Sequence, residues 1–200
     1  MRILAFSDLH CDAAAASNLV KLASDVDLVV GAGDFGNIRS GLETTLNILR
    51  AIDKPAVLVA GNNESTDELR EAARSWHSAT VLHGDQIKIA GIDFFGIGGG
   101  IPTTPFGAWS YDFTEDQAKG LLSTCHTRGV LVSHSPPKGV CDRSSRGQSL
   151  GSTAVRATIE RCNSRLVICG HIHGSARQVE RLNATTVINA GPAGILYTLE

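Results

Sequence analysis

Residues 3–10 read Ile3-Leu4-Ala5-Phe6-Ser7-Asp8-Leu9-His10, an unbroken apolar run that ends abruptly in a hydroxyl, a carboxylate and an imidazole. Such a run, without polar alternation, suits a strand buried on both faces, and strands of that kind belong to parallel sheets covered by helices. The same grammar recurs down the chain. Leu28 to Val30 is followed by Gly33-Asp34, Ala56 to Ala60 by Gly61-Asn62-Asn63-Glu64, Gly129 to Ser133 by His134, and Leu166 to Cys169 by Gly170-His171-Ile172-His173. Helix-like stretches from about Ala13 to Ala23 and from Leu42 to Ala51 separate the first three runs, a βαβαβ rhythm that places the chain in the α/β class. Ser65 with Glu68 and Thr114 with Gln117 have capping-box spacing, opening helices toward Trp76 and Cys125. Strands are also expected at Ile87 to Ala90 and Ile92 to Ile97. A helix from Ser152 to Arg161 precedes hairpin-like segments at Ala176 to Arg181, Thr185 to Asn189 and Ile195 to Leu199.

In an open α/β sheet the loops at the carboxyl edge converge, so the five polar clusters are expected on one edge. Asp and His are ligands for Mn, Fe, Zn, Ni or Co, and Asn adds a carbonyl oxygen. While the chain is extended, Asp8-x-His10 and His171-x-His173 would each point both side chains to one face. Asp34, a lone carboxylate after a strand, suits bridging two ions about 3.5 to 4 Å apart, as two-metal hydrolytic sites require. Two dications against only Asp8 and Asp34 leave a positive excess that favours a phosphoryl group. Singly, each residue is more often a turn former, a helix cap or a structural histidine than a ligand. Their recurrence after five separate buried runs is what points to a metal centre.

The 200-residue chain can bury roughly 70% of its unfolded surface and is expected to form one domain over residues 1–200. A composition 42% hydrophobic and 19% charged excludes disordered and fibrous classes. With 18 basic against 20 acidic residues and no basic block, no long nucleic acid is expected as a partner; a small phosphorylated substrate is. Apolar runs fall well short of the ~18 residues of a membrane span, so no membrane association is expected and the cytoplasm is the simplest location. The five cysteines are scattered without a C-x-x-C pair and read as reduced thiols.

Two loops are candidates for substrate choice. Gly98 to Phe113, GGGIPTTPFGAWSYDF, carries four of the ten aromatics. Trp109 and Tyr111 read either as a stacking wall for a nucleobase or aryl group or as cover for the sheet, whereas Phe113, beside a helix cap, reads as packing. In the loop from Pro136 to Gly147, Lys138 and Arg143 read either as phosphate-neutralising groups or as solvated surface charge.

The ordered set D-x-H, G-D, G-N-N-E, S-H and G-H-I-H resembles the calcineurin-like metallophosphoesterases, whose pattern is D-x-H, G-D, G-N-H-D/E, a single His and G-H-x-H. The resemblance runs from Asp8 to His173. It implies a four-layer αββα sandwich of two mixed β-sheets flanked by helices, with the late hairpins building the second sheet. It also implies two divalent or mixed-valence transition-metal ions. One would be held by Asp8, His10, His173 and the bridging Asp34, the other by Asp34, Asn62, His134 and His171.

Where the family commonly has a His that assists the leaving group, this chain has Asn63. An amide donates a hydrogen bond to a phosphoryl oxygen but supplies no proton at neutral pH. Loss of a general acid typically costs on the order of 10² to 10⁴ in rate, and Asp12 or His83 are the alternative proton sources in the sequence. The implied activity is a metal-dependent phosphoesterase, a phosphodiesterase more than a monoesterase, acting on a cyclic-nucleotide, nucleotide or aryl-type ester. The implied chemistry is in-line attack of a hydroxide bridging the ions, with Asp34, Asn62 and Asn63 serving the reaction. The competing readings are a protein Ser/Thr phosphatase and a slow metal-bearing scaffold, for which Asn63 and any apolar patch away from the metal edge would speak.

Overall fold

The computed structural model describes residues 1–126 and 128–200. In chain order the elements are β1 (Arg2–Phe6), α1 (Ala13–Leu22), β2 (Leu28–Ala32), α2 (Leu42–Leu49), β3 (Ala56–Val59), α3 (Thr66–Ala72), β4 (Ala79–Val81), β5 (Asp85–Ile89) and β6 (Ile92–Ile97). There follow α4 (Glu115–Leu122), β7 (Val130–Ser133), α5 (Thr153–Cys162), β8 (Leu166–Cys169), β9 (Val179–Leu182), β10 (Thr185–Asn189) and β11 (Ile195–Thr198). One sheet has the order β11-β1-β2-β3-β4, the other β5-β6-β7-β8-β10-β9. Both are mixed: β11, β5 and β9 run antiparallel to their neighbours, and the other pairings are parallel.

The apolar runs do not alternate because both of their faces are buried. Along β1, Leu4 and Phe6 pack with α1 and α2, while Ile3 and Ala5 face the second sheet. The layer between the sheets joins Ile3, Val30, Val57 and Val59 to Phe94, Val132 and Ile168. On the outer face of the second sheet, Phe95, Leu131 and Val167 meet Leu122 of α4 and Val155 and Ile159 of α5. The result is the expected αββα sandwich. Both capping boxes form, Ser65 with Glu68 and Thr114 with Gln117, and Asp12 caps α1 by accepting from the Ala14 and Ala15 N–H groups. Among the described residues no helix is long and apolar enough to cross a membrane.

One expectation about the strands needs correction. The last segment does not join the second sheet: β11 pairs antiparallel with β1, Arg2 opposite Thr198, while only the β9–β10 hairpin extends the second sheet. The second sheet also takes the earlier β5–β6 hairpin, whose turn residues Ala90 and Gly91 have φ of 48° and 82°, the primed geometry that matches strand twist. A further strand, β4, has no signature in the sequence, because its three half-buried residues carry no periodicity.

Candidate metal centre

Five strand ends, those of β1, β2, β3, β7 and β8, carry the polar clusters to one edge. The segments after β1 and β2 are laced together, with the Asp8 N–H donating to the Gly33 carbonyl at 2.9 Å and the His10 N–H to the Asp34 carbonyl at 3.0 Å. Asp8, His10, Asp34 and His171 have φ of 55°, 44°, 58° and 66°. Left-handed backbone costs a non-glycine residue of order 1 to 3 kcal/mol and persists where the surroundings over-determine it, characteristically at functional sites. The extended alternation expected of Asp8-x-His10 and His171-x-His173 is therefore not what aims these side chains. Left-handed turns do, and they send His171 and His173 to different groups.

Those groups are Asp8, His10 and His173, and Asp34, His134 and His171, the ligand atoms within each lying within 4.8 Å of one another. Asp34 Oδ2 lies 3.6 Å from His10 Nε2 and 3.5 Å from His134 Nε2, so a single oxygen faces both groups. Asn62 Oδ1 is 3.3 Å from His134 Nε2, and His173 Nε2 is 3.6 Å from Asp8 Oδ1 and 3.1 Å from His10 Nε2. Ligands held about 2.0 to 2.2 Å from one transition-metal ion stand roughly 3 to 3.6 Å from each other, which is the spacing found here. The mixed nitrogen and oxygen donor set fits such ions as well.

The side chains are oriented from behind. His134 Nδ1 lies 2.8 Å from the Ala32 carbonyl, the tautomer-fixing contact that leaves Nε2 toward Asp34. Ser7 Oγ donates to Asp8 Oδ2, and the His171 N–H donates to Asp8 Oδ1 at 2.9 Å. Burial alone would lower the His134 pKa, but the adjacent Asp34 carboxylate outweighs it and raises the value to about 9. Burial and the repulsion of His134 push His171 down to about 4. Asp34 stays well below the usual carboxylate range: burial raises it, but the His134 charge and the Asn63 N–H outweigh that.

Residues 1–198 match the family model described as the calcineurin-like phosphoesterase superfamily domain. The chain belongs to that superfamily. Its members are metal-dependent phosphoesterases, generally built around dinuclear centres. Among solved structures the chain is similar to a Thermus thermophilus protein, with a TM-score of 0.79 at 20% identity over 96% of this chain and 90% of that one. It is similar also to the phosphopantetheinyl hydrolase of Mycobacterium tuberculosis (TM-score 0.58, 15% identity, 94% and 88% coverage). An archaeal phosphodiesterase aligns with TM-score 0.52 at 16% identity over 96% of this chain and 84% of its own. At these identities the likeness establishes the fold. Comparison with curated protein sequences gives no match.

The roles of three residues around this candidate centre are not visible in the motif pattern. Glu64 is buried and accepts four backbone N–H groups, those of Asp34 (2.8 Å), Phe35 (3.3 Å), Gly36 (3.0 Å) and Gly61 (2.8 Å). It ties the loop after β2 to the loop after β3. Burial and the Asp34 charge raise its pKa to about 7 against the pull of the Gly61 and Gly36 donors. Glycine at 61 follows from the same closeness, since a Cβ there would stand 1.9 Å from Asp34 Oδ1.

Asn63 is the second of these residues. Its Nδ2 donates to Asp34 Oδ2 at 2.7 Å and its Oδ1 accepts the Ile38 N–H at 2.8 Å, so the side chain positions Asp34 and a neighbouring loop. The third is Ser110, which accepts from Asn62 Nδ2 at 3.0 Å and donates to Asp112 Oδ1 at 2.8 Å, while Asp112 Oδ2 accepts from Thr104. Ser110→Ala is expected to free the Asn62 amide and to lower kcat about 10- to 100-fold with little change in melting temperature, as loss of an outer-shell partner does elsewhere. Steady-state kinetics with a thermal melt checks both.

A cavity of about 660 Å³ opens over the centre, lined by His10, Asp34, Asn62, Asn63, His171 and His173 on one side and by Trp109 and Phe106 on the other. Of the four expected substrate contacts only Trp109 lines it. Tyr111 is turned inward, packed on His83 and Phe113 with its hydroxyl 3.3 Å from Thr66 Oγ1. Lys138 Nζ donates to the Ser149 carbonyl at 2.7 Å, and Arg143 Nη1 to the Gly147 carbonyl at 3.0 Å, so both bases brace their own loop. The alternative proton sources lie elsewhere too: Asp12 caps α1, and His83 Nδ1 accepts the Gly98 N–H at 3.2 Å.

Proposed function

We propose that the chain is a two-metal phosphodiesterase acting on a small phosphorylated substrate, with Asp8, His10, Asp34 and His173 holding one ion and Asp34, Asn62, His134 and His171 the other. The observation that carries the reading is Asp34 Oδ2, one carboxylate oxygen facing both donor groups. When bound, two such ions polarise the phosphoryl oxygens and lower the pKa of an attacking water. The chain's own residues do the rest. Asn62, held by Ser110, presents its amide to a non-bridging oxygen; Asn63 and Glu64 hold Asp34 in place; and His134 is fixed through Ala32.

The expected dependence on the leaving group rests on the acids that line the cavity. Among the described residues every titratable side chain there, His10, Asp34, His171 and His173, belongs to one of the two donor groups, and Asn63 donates no proton. Leaving groups that need protonation are therefore slowed, by on the order of 10² to 10⁴, relative to those that depart as anions. The exposed apolar side chains Ile38, Phe106 and Leu150 gather at this cavity, which favours a bound small molecule over the scaffold reading.

Stripping the protein of metal and reconstituting it separately with Mn, Zn, Fe and Ni, then assaying a matched aryl phosphodiester and aryl phosphomonoester, tests the reading. Metal-dependent turnover favouring the diester is expected; stoichiometric metal binding without turnover on either ester would overturn it. Metal affinity carries a second expectation. His134 must be neutral to ligate, and its pKa is held at about 9, so affinity falls about tenfold for each pH unit below that value. Metal titrations at a series of pH values read the slope directly; an affinity flat across that range would contradict it.

A further inference from the structure

The wall of the cavity away from the donor groups carries a cluster of exposed apolar side chains among its polar ones. Of the five large apolar side chains exposed among the described residues, three line it: Ile38 at 56%, Phe106 at 52% and Leu150 at 45%. They come from three separate loops, those after β2, β6 and β7, so the collar is assembled by the fold and not by one hydrophobic stretch. Phe106 and Trp109 lie stacked, ring centroids 5.6 Å apart and planes at 14°, and together present a flat aromatic surface.

Ile38 adds a second kind of observation. Its φ is 44°, a left-handed conformation in which a β-branched residue is a genuine outlier. The backbone is held there by the Ile38 N–H donated to Asn63 Oδ1 at 2.8 Å, while the other end of the same amide grips Asp34. An apolar side chain is thus kept out in solvent at a conformational cost, through a residue that also positions the central carboxylate. Among the described residues no lysine or arginine lines the cavity. The wall therefore offers a second anionic group only the neutral polar side chains of Asn37, Thr103, Thr104, Ser144, Ser145 and Gln148.

From this collar we infer that the substrate is a phosphodiester whose second ester group is flat, apolar and uncharged, an aryl group seated between Ile38, Leu150 and the stacked Phe106–Trp109 pair. The inference rests on the phosphodiesterase reading and sharpens it by naming what the phosphate carries. At about 660 Å³ the cavity has room for a group of that size beyond the phosphate. A polyphosphate or a carboxylate-bearing ester finds no cationic side chain in these walls and loses hydration on entering them.

The test uses three diesters with one leaving group, p-nitrophenyl phenyl phosphate, p-nitrophenyl methyl phosphate and p-nitrophenyl carboxymethyl phosphate, so that only the second ester group differs. With the metal-loaded protein, the phenyl ester is expected to exceed the methyl ester in kcat/KM by about tenfold or more, carried mainly by KM, with the carboxymethyl ester lowest. Trp109→Ala should collapse the phenyl-to-methyl ratio toward one, and Leu150→Lys should raise the carboxymethyl ester relative to the methyl. Equal kcat/KM for phenyl and methyl, or a ratio unchanged in Trp109→Ala, overturns the inference.

A binding measurement separates this from failure of the phosphodiesterase reading itself. Phenylphosphonate, which has no ester to cleave, should shift the emission of half-buried Trp109 and bind about tenfold more tightly than methylphosphonate, whether or not any ester turns over. Equal affinities for the two phosphonates would sink the collar; absent turnover with retained phenyl selectivity would sink only the catalytic reading.

Discussion

Asp34→Asn is expected to lower metal-dependent phosphodiester turnover by about three orders of magnitude and to leave at most one ion bound per chain. The amide is nearly isosteric with the carboxylate, so the Asn63 N–H now donated to Asp34 Oδ1 at 2.9 Å still finds an acceptor. What is lost is the charge and the second oxygen lone pairs that one atom turns toward both His10 and His134. His134 should respond as well. Its pKa of about 9 depends on the Asp34 carboxylate overcoming burial, so in the variant burial prevails and the imidazole is neutral at physiological pH. Kinetics, metal analysis and the NMR titration of His134 report on the three consequences; near-normal turnover in Asp34→Asn would remove the bridge from the account.

The second large effect concerns stability. Glu64→Ala strands the four backbone N–H groups of Asp34, Phe35, Gly36 and Gly61 in the interior, and a buried donor left without a partner costs about 1 to 3 kcal/mol. Water entering the vacated space recovers part of that, so a net destabilisation of roughly 4 kcal/mol is expected, read from denaturant unfolding of the metal-free protein. Glu64→Gln, which keeps one acceptor oxygen, should fall between. A loss under about 1 kcal/mol in the alanine variant would mean that the loops after β2 and β3 are not held together through this carboxylate.

These two residues also mark how far the sequence alone carries. Asp34 is legible because a short, fully apolar run that stops at Gly33-Asp34 admits few alternatives, and the same holds for Asp8, Asn62, His134 and His171, each placed by a strand whose two faces are buried. The ordered recurrence of those endings makes the superfamily readable at identities as low as 15 to 20% to solved structures. Glu64 is not legible in the same way. In the sequence it closes the G-N-N-E motif without a stated role, and that role exists only once four N–H groups from two loops converge on it.

Long-range closure is equally hidden. The pairing of β11 with β1 joins residues nearly the whole chain apart, and no local pattern distinguishes a strand that returns to the first sheet from one that extends the second. The loop side chains carry two readings in the sequence. Tyr111, Lys138 and Arg143 have the chemistry of ligand contacts, but each satisfies its polar group within the protein, through Thr66, Ser149 and Gly147, an outcome set by loop geometry and not by residue type. Asn63 shows the converse. As a departure from a motif it reads as the loss of a proton donor, whereas in the fold it is a two-ended brace between Asp34 and Ile38.

Anomalous diffraction from crystals loaded with manganese tests the central claim most directly. Two peaks per chain are expected, one among Asp8, His10 and His173 and one among Asn62, His134 and His171, with Asp34 between them; a single peak, or two that do not share Asp34, would contradict the bridged centre.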